Sequence, residues 1–203
     1  MRILSISIGT ISPLFGIEHP DYKAVNSAIK KEVVSSLDKP ETVQVKKMGL
    51  VGDEQADFSV HGGMEKAVYA YPSEHYSFWN ELLNREVHRA NPIGHGYLGE
   101  NLTVEGFNEA EVWVGDIWLI GEVELQVVKL REPCFKFNAR MAYKGSAKAM
   151  IQSTKSGWYL QVNTPGTIKA GDQIEVKPGR REVSIESQNA FLLRKEQQKE
   201  LPL

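Results

Sequence analysis

A single cysteine, Cys134, in 203 residues rules out an intramolecular disulfide framework. No apolar run approaches the ~18 residues that a membrane-crossing helix needs. The opening MRILSISIGT is too short, and too polar at its small-residue end, to serve as a secretory signal. These absences predict a cytoplasmic protein without a membrane partner. An excess of charge is missing too: 24 basic residues against 26 acidic ones cannot supply the concentrated basic face that a nucleic-acid coat requires. A small anionic ligand stays open, because one or two local cations suffice for it.

Several catalytic signatures are also lacking. The five histidines (His19, His61, His75, His88, His95) show neither H-x3-H nor H-E-x-x-H spacing, which argues against a histidine-ligated zinc. No G-x-S-x-G elbow supports a hydrolase triad. GHGYLG (Gly94 to Gly99) fits G-x-G-x-x-G by letter, yet a Pro92 loop precedes it and the strand-like NLTVEGF follows. A dinucleotide site needs the reverse, a strand before and a helix after. The stretch reads as a loop whose glycines still let backbone N–H groups approach a ligand.

What is present is a series of short strands. RILSISI alternates with a period of two, as does TVQVKKMGL, and KAVYAY is rich in aromatic and β-branched residues. SAIKKEVV is ambiguous and leans to strand. EVWVGDIWLIG, VELQVVKL, GWYLQV and QIEV add more. Against these, SEHYSFWNELLN sets Tyr76, Trp79, Leu82 and Leu83 on one helical stripe, with Ser73 available as N-cap. Residues 139–153 have helical composition despite Gly145. Gly-Asp recurs at Gly52-Asp53, Gly115-Asp116 and Gly171-Asp172, where glycine and aspartate together mark tight corners. The expected fold class is mostly β (mixed α/β), closed into a barrel or sandwich with a few helices. Residues 180–203 differ in composition and read as a peripheral tail.

The one thiol lies in KLREPCFKF. Pro133 removes a backbone donor and ends the strand, which leaves Cys134 at a strand exit, where sites tend to sit. Arg131, with Lys129 or Lys136, can stabilise a thiolate, and Arg131 can grip a phosphate with two parallel bonds. A thiolate is a soft metal ligand. A lone cytoplasmic cysteine is also commonly a small buried hydrophobe, and local chemistry permits either role. Among the carboxylates Asp53, Asp57, Glu54 and Glu100, spacing selects no acid or base.

Taken in order, SAIKK, GLVGDEQADFSVHGGMEKAVYAYPSEHYSFW, GENLTVEGF with VWVGDIWLIG, LREPC, and GWYLQV with GTIKAGDQIEV resemble the MOSC family, named for the C-terminal domain of molybdenum cofactor sulfurase, and its YiiM-like branch. The resemblance implies a MOSC-type closed β-barrel over residues 1–179, with residues 180–203 a truncated remnant of a helical extension. It implies a molybdenum cofactor (molybdenum–pterin), with Cys134 as metal ligand and catalytic residue. It places His61 with Gly62 at the border of the metal pocket and sets Lys66 and Arg131 against the anionic side of the cofactor. Asn101 and Tyr159 would bond pterin or phosphate.

The activity implied is reduction of N-hydroxylated compounds, small molecules such as hydroxylamines and N-hydroxylated bases. Electrons would come from a separate electron-donor reductase, and a homodimer is compatible with the pattern. The rival expectation is a non-catalytic carrier of cofactor or sulfur, with a persulfide on Cys134. One departure is local: Leu130 stands where the family often has the first proline of Pro-Arg-x-Pro-Cys.

Overall fold

The computed structural model describes residues 1–20, 25–56 and 62–199. Thirteen strands and four α-helices are assigned among them. The strands are β1 (Arg2–Ile8), β2 (Ser12–Pro13), β3 (Asn26–Ser27), β4 (Glu32–Ser36), β5 (Val43–Lys46), β6 (Gly49–Leu50) and β7 (Val68–Pro72), then β8 (Leu102–Glu105), β9 (Ile117–Ile120), β10 (Val123–Leu130), β11 (Trp158–Thr164), β12 (Gly166–Ile168) and β13 (Glu175–Lys177). The helices are α1 (Tyr76–Val87), α2 (Phe135–Met141), α3 (Ser146–Ser153) and α4 (Ile185–Lys199).

Eight strands form one sheet in the order β13-β9-β10-β11-β7-β8-β1-β4. Its pairs are antiparallel except β7 with β8. The sheet curls into a half-barrel, and its two ends approach through backbone bonds outside the ladder: Ile3 N–H to Asp172 O at 3.0 Å and Ile174 N–H to Met1 O at 3.0 Å. A second sheet, β12-β5-β6, lies beside it. The expected β-rich mixed architecture is what forms. Inside the curl, Ile3, Ile6, Val68, Leu102, Trp118 and Trp158 make the main core. On the outer face Tyr71, Trp79, Leu83, Phe137, Met141 and Met150 pack the first three helices against the sheet.

The stripe Tyr76, Trp79, Leu82, Leu83 is buried along α1 as its spacing requires. Ser73 does not cap it. That residue opens a single 3-10 turn, Ser73–His75, and its hydroxyl goes to Glu74. The helical stretch expected over residues 139–153 divides into the end of α2 and all of α3. Ala142 turns left-handed at φ 53°, and the Asn138 side chain accepts from Ala147 N at 2.7 Å, offering the backbone an end-of-helix alternative.

The glycines of all three Gly-Asp corners have φ near +90° (91°, 91° and 92°), which other residues resist. Asp172 accepts from Lys169 N at 2.8 Å within its own corner, whereas Asp116 reaches across to Gly179 N at 2.8 Å and to the Arg181 guanidinium. Asp53 belongs to the site below.

The tail also departs from its expected peripheral role. Ile185 is fully buried and Asn189 nearly so. Asn189 Nδ2 donates to Thr154 O and Ser156 Oγ, both at 3.0 Å, and Gln188 Oε1 accepts from Leu130 N at 2.7 Å. Helix α4 is thereby tied to the end of β10, the segment that carries Arg131 and Cys134.

Candidate functional site

Strand β10 ends at Leu130 and the chain runs on in extended form to Cys134 (φ −133°, ψ −179°), the residue before the first turn of α2. Pro133 explains the ending: it lacks an N–H and holds the residue before it extended. The Cys134 side chain is half-buried and lines a cavity between the β3–β4 region, the turn after β6, and the β10–α2 segment. Core filler is thus the wrong description. The cavity is partly open to solvent, with a volume of about 110 Å³.

Arg131 lies beside the thiol and is only 5% exposed. Its backbone N–H donates to Gly157 O at 3.2 Å, its Nη1 to Met150 Sδ at 3.2 Å, and its guanidinium sits 4.4 Å from the centre of the Phe137 ring. Burial opposes its charge, while the Tyr69 and Tyr159 hydroxyls and Cys134 favour it and hold it firmly protonated. Among the described residues no carboxylate pairs with it. Burial raises the pKa of both Tyr69 and Tyr159 against the pull of Arg131, which keeps their hydroxyls as proton donors. The Tyr69 hydroxyl is committed to Ser156 O at 2.8 Å. Tyr159 bonds Arg131 and lines the cavity beside it.

Gly157 holds this corner. It adopts φ +62°, and a Cβ there would meet Ala70 O at 2.5 Å. Its N–H donates to Glu109 Oε1 at 3.1 Å while its carbonyl holds Arg131. Gly157→Ala is expected to destabilise the fold by about 2–4 kcal/mol through strain and overpacking, measured as a shift in the urea midpoint.

Asn101 does more bracing than its expected role implies. Its Oδ1 accepts from Tyr69 N at 3.0 Å, and its Nδ2 donates to Ser7 O at 3.2 Å and Asp53 Oδ2 at 2.9 Å. It faces the cavity while linking β1, β7 and the turn after β6. Lys66 closes a short turn before β7 and is half-buried on the same wall. Cys134, Lys66, Asn101, Arg131 and Tyr159 are therefore brought together. Gly62 is described but stands apart from the lining, and His61 lies outside the described residues.

Three residues that spacing could not single out complete the surroundings. Lys31, just before β4, bonds Asp53 Oδ1, and each side chain is only 7% exposed. Burial lowers the Lys31 pKa, with Asp53 opposing. Glu100 is fully buried, and its Oε1 accepts from Gly96 N at 2.8 Å, Thr103 Oγ1 at 3.0 Å and the Tyr76 hydroxyl. Its Oε2 has no partner. The GHGYLG loop, set aside as a nucleotide motif, supplies Gly96 to this carboxyl and Gly99 to the cavity wall.

Burial raises the Glu100 pKa above the usual 4.5. The folded chain then keeps a proton that the unfolded chain has already released, so stability falls as pH rises through that window. Glu100→Gln is expected to flatten this slope and raise the melting temperature at neutral pH, as checked by thermal unfolding between pH 5 and 8.

Fold and site together define the class. Residues 57–175 match the MOSC domain, and the chain belongs to that family. It is 32% identical over 188 residues to the uncharacterized protein YflK of Bacillus subtilis (strain 168), covering 92% of this chain and 78% of that one. Against protein YiiM of Escherichia coli (strain K12) the identity is 32% over 162 residues, 80% and 71% of the two chains. The crystal structure of YiiM from Geobacillus stearothermophilus superposes with a TM-score of 0.72 at 30% identity, over 96% of this chain and 84% of that one. A protein of Gibberella moniliformis (strain M3125 / FGSC 7600) named Reductase is 36% identical over 129 residues, 63% of this chain but 22% of that much longer one. No helix among the described residues is long and apolar enough to cross a membrane.

Proposed function

We propose that this chain is a molybdenum–pterin-dependent reductase of small N-hydroxylated molecules, hydroxylamines and N-hydroxylated bases among them. The observation that carries this reading is a half-buried thiol and a buried guanidinium, unpaired with any described carboxylate, on one cavity wall. The cofactor that the family implies has a soft metal and an anionic side, and this wall offers a donor to each. Cys134 Sγ suits the metal, and Arg131 suits the anion, with Lys66 and Lys136 adding positive charge nearby. The cavity, about 110 Å³, is smaller than the ~300 Å³ at the lower end of ligand pockets, so it would take only part of the cofactor, with Asn101 and Tyr159 offering bonds to the pterin or phosphate. When bound, such a cofactor supplies the two-electron chemistry.

One cysteine cannot hold an iron–sulfur cluster, and this reading takes a separate reductase as the electron source. A thiol outside any intramolecular disulfide also accords with a reducing, cytoplasmic setting. The test is wild-type protein made in a host that synthesises the cofactor. Molybdenum and pterin are expected in equal amounts per chain, together with oxidation of a reduced dye by a hydroxylamine-type substrate. Bound cofactor or sulfane sulfur without turnover would make the chain a carrier, and absence of both metal and pterin would end the reading.

A further inference from the structure

Among the described residues, Lys31–Asp53 is the one strongly buried ion pair on the cavity wall. Taking an ammonium out of water costs several kcal/mol, and a well-packed apolar residue commonly serves stability as well or better. A purely structural account therefore leaves the choice of lysine unexplained. Asp53 is itself fixed from three sides: Oδ1 accepts from Gly9 N at 2.7 Å and from Lys31, and Oδ2 accepts from Asn101 Nδ2 at 2.9 Å. Glu100 lies close enough to raise the Lys31 pKa when ionised, and its unpartnered Oε2 is sealed from solvent. Arg131 and Lys136 complete the charged wall around the same cavity, beside Cys134.

We propose that Lys31 is the general acid of this site, held by Asp53 and backed by Glu100, and that it protonates the oxygen leaving the substrate. This rests on the reductase reading above. Reduction of R2N–OH takes up two electrons and two protons and yields R2NH and water. The N–O bond breaks with its electron pair going to oxygen, which takes one proton from Lys31 Nζ and departs as water, while the two supplied electrons fill the nitrogen orbital so vacated and nitrogen takes the second proton from solvent. The two electrons come from the separate reductase. Lys31 regains its proton from solvent before the next turnover. Its burial, which lowers its pKa against the opposing effect of Asp53 and Glu100, makes it a better acid near neutral pH than a surface lysine.

The test uses Lys31→Arg, which keeps the charge and the bond to Asp53 but does not release a proton in this pH range. Cofactor-loaded variant is expected to match wild type in molybdenum and pterin. Its kcat should fall about 10²-fold with KM within about threefold, and it should lose the decline in rate that wild type shows as pH rises through the Lys31 pKa. An independent readout needs no cofactor. Carbon NMR of lysine side chains in unloaded wild type should show one lysine titrating below the rest, absent in Lys31→Arg and shifted lower still in Asp53→Asn. If Lys31→Arg folds poorly, the double variant Lys31→Met/Asp53→Asn removes the charge imbalance and should give the same kinetic loss. Active wild type whose rate and pH profile survive Lys31→Arg overturns the inference alone, as does a Lys31 that titrates with the surface lysines. Loaded wild type that reduces no N-hydroxylated substrate overturns the functional reading and the inference with it.

Discussion

Cys134→Ala protein, purified from a host that makes the cofactor, is expected to hold less than about a hundredth of the wild-type molybdenum and to reduce substrate at background. Its unfolding free energy should stay within about 0.5 kcal/mol of wild type. Both halves follow from placement. The side chain is half-buried on a cavity wall and outside either hydrophobic cluster, so shortening it opens no core void and falls in the range of ordinary non-core substitutions. The sulfur is also the one cysteine sulfur in the chain, and loss even of residues that merely support a metal ligand costs 10–100-fold in affinity or activity. Metal by mass spectrometry, pterin by fluorescence and urea unfolding on one preparation check the expectation. A stable variant with full metal content would remove Cys134 from the chemistry.

How much of this was legible beforehand depends on how local each signal is. Pro133 next to Cys134 fixes a strand exit through two adjacent residues, and the α1 stripe is a period within one segment, so both can be read along the chain. The cavity wall is different. Lys31, Asp53, Glu100 and Arg131 come from four separate segments, and spacing along the chain holds no information on which carboxylate meets which cation. Asp53 illustrates the point, since Gly52-Asp53 looks the same as the other two corners and only the curl of the sheet brings Lys31 and Asn101 to it. Helix α4 was obscure for a similar reason: the partners of Asn189 and Gln188 lie at Thr154, Ser156 and Leu130, and no pattern within the tail announces them. The split between α2 and α3 falls where Ala142 turns left-handed, with the Asn138 side chain accepting from the first turn of α3, and composition shows neither.

Arg131→Met is expected to move stability and cofactor retention in opposite directions. The guanidinium is buried among Met150, Phe137 and Tyr69, with no described carboxylate to offset the cost of its charge. A methionine side chain of similar length fits those neighbours and removes the buried charge, so unloaded protein should become more stable by about 1 kcal/mol or more. Under the proposed function the same change would delete two charge-assisted bonds to the cofactor's anionic side, each worth about 1.5–3 kcal/mol. Retention of the molybdenum–pterin should therefore weaken at least about 10²-fold. Arg131→Lys should recover part of the retention, since it restores a point charge without the planar fork. Urea unfolding of unloaded protein and pterin content after dialysis give the two readings. A structural arginine held by its ring contacts would instead lose stability when replaced, and a fall in both quantities together would mean that Arg131 serves the fold before it serves any ligand.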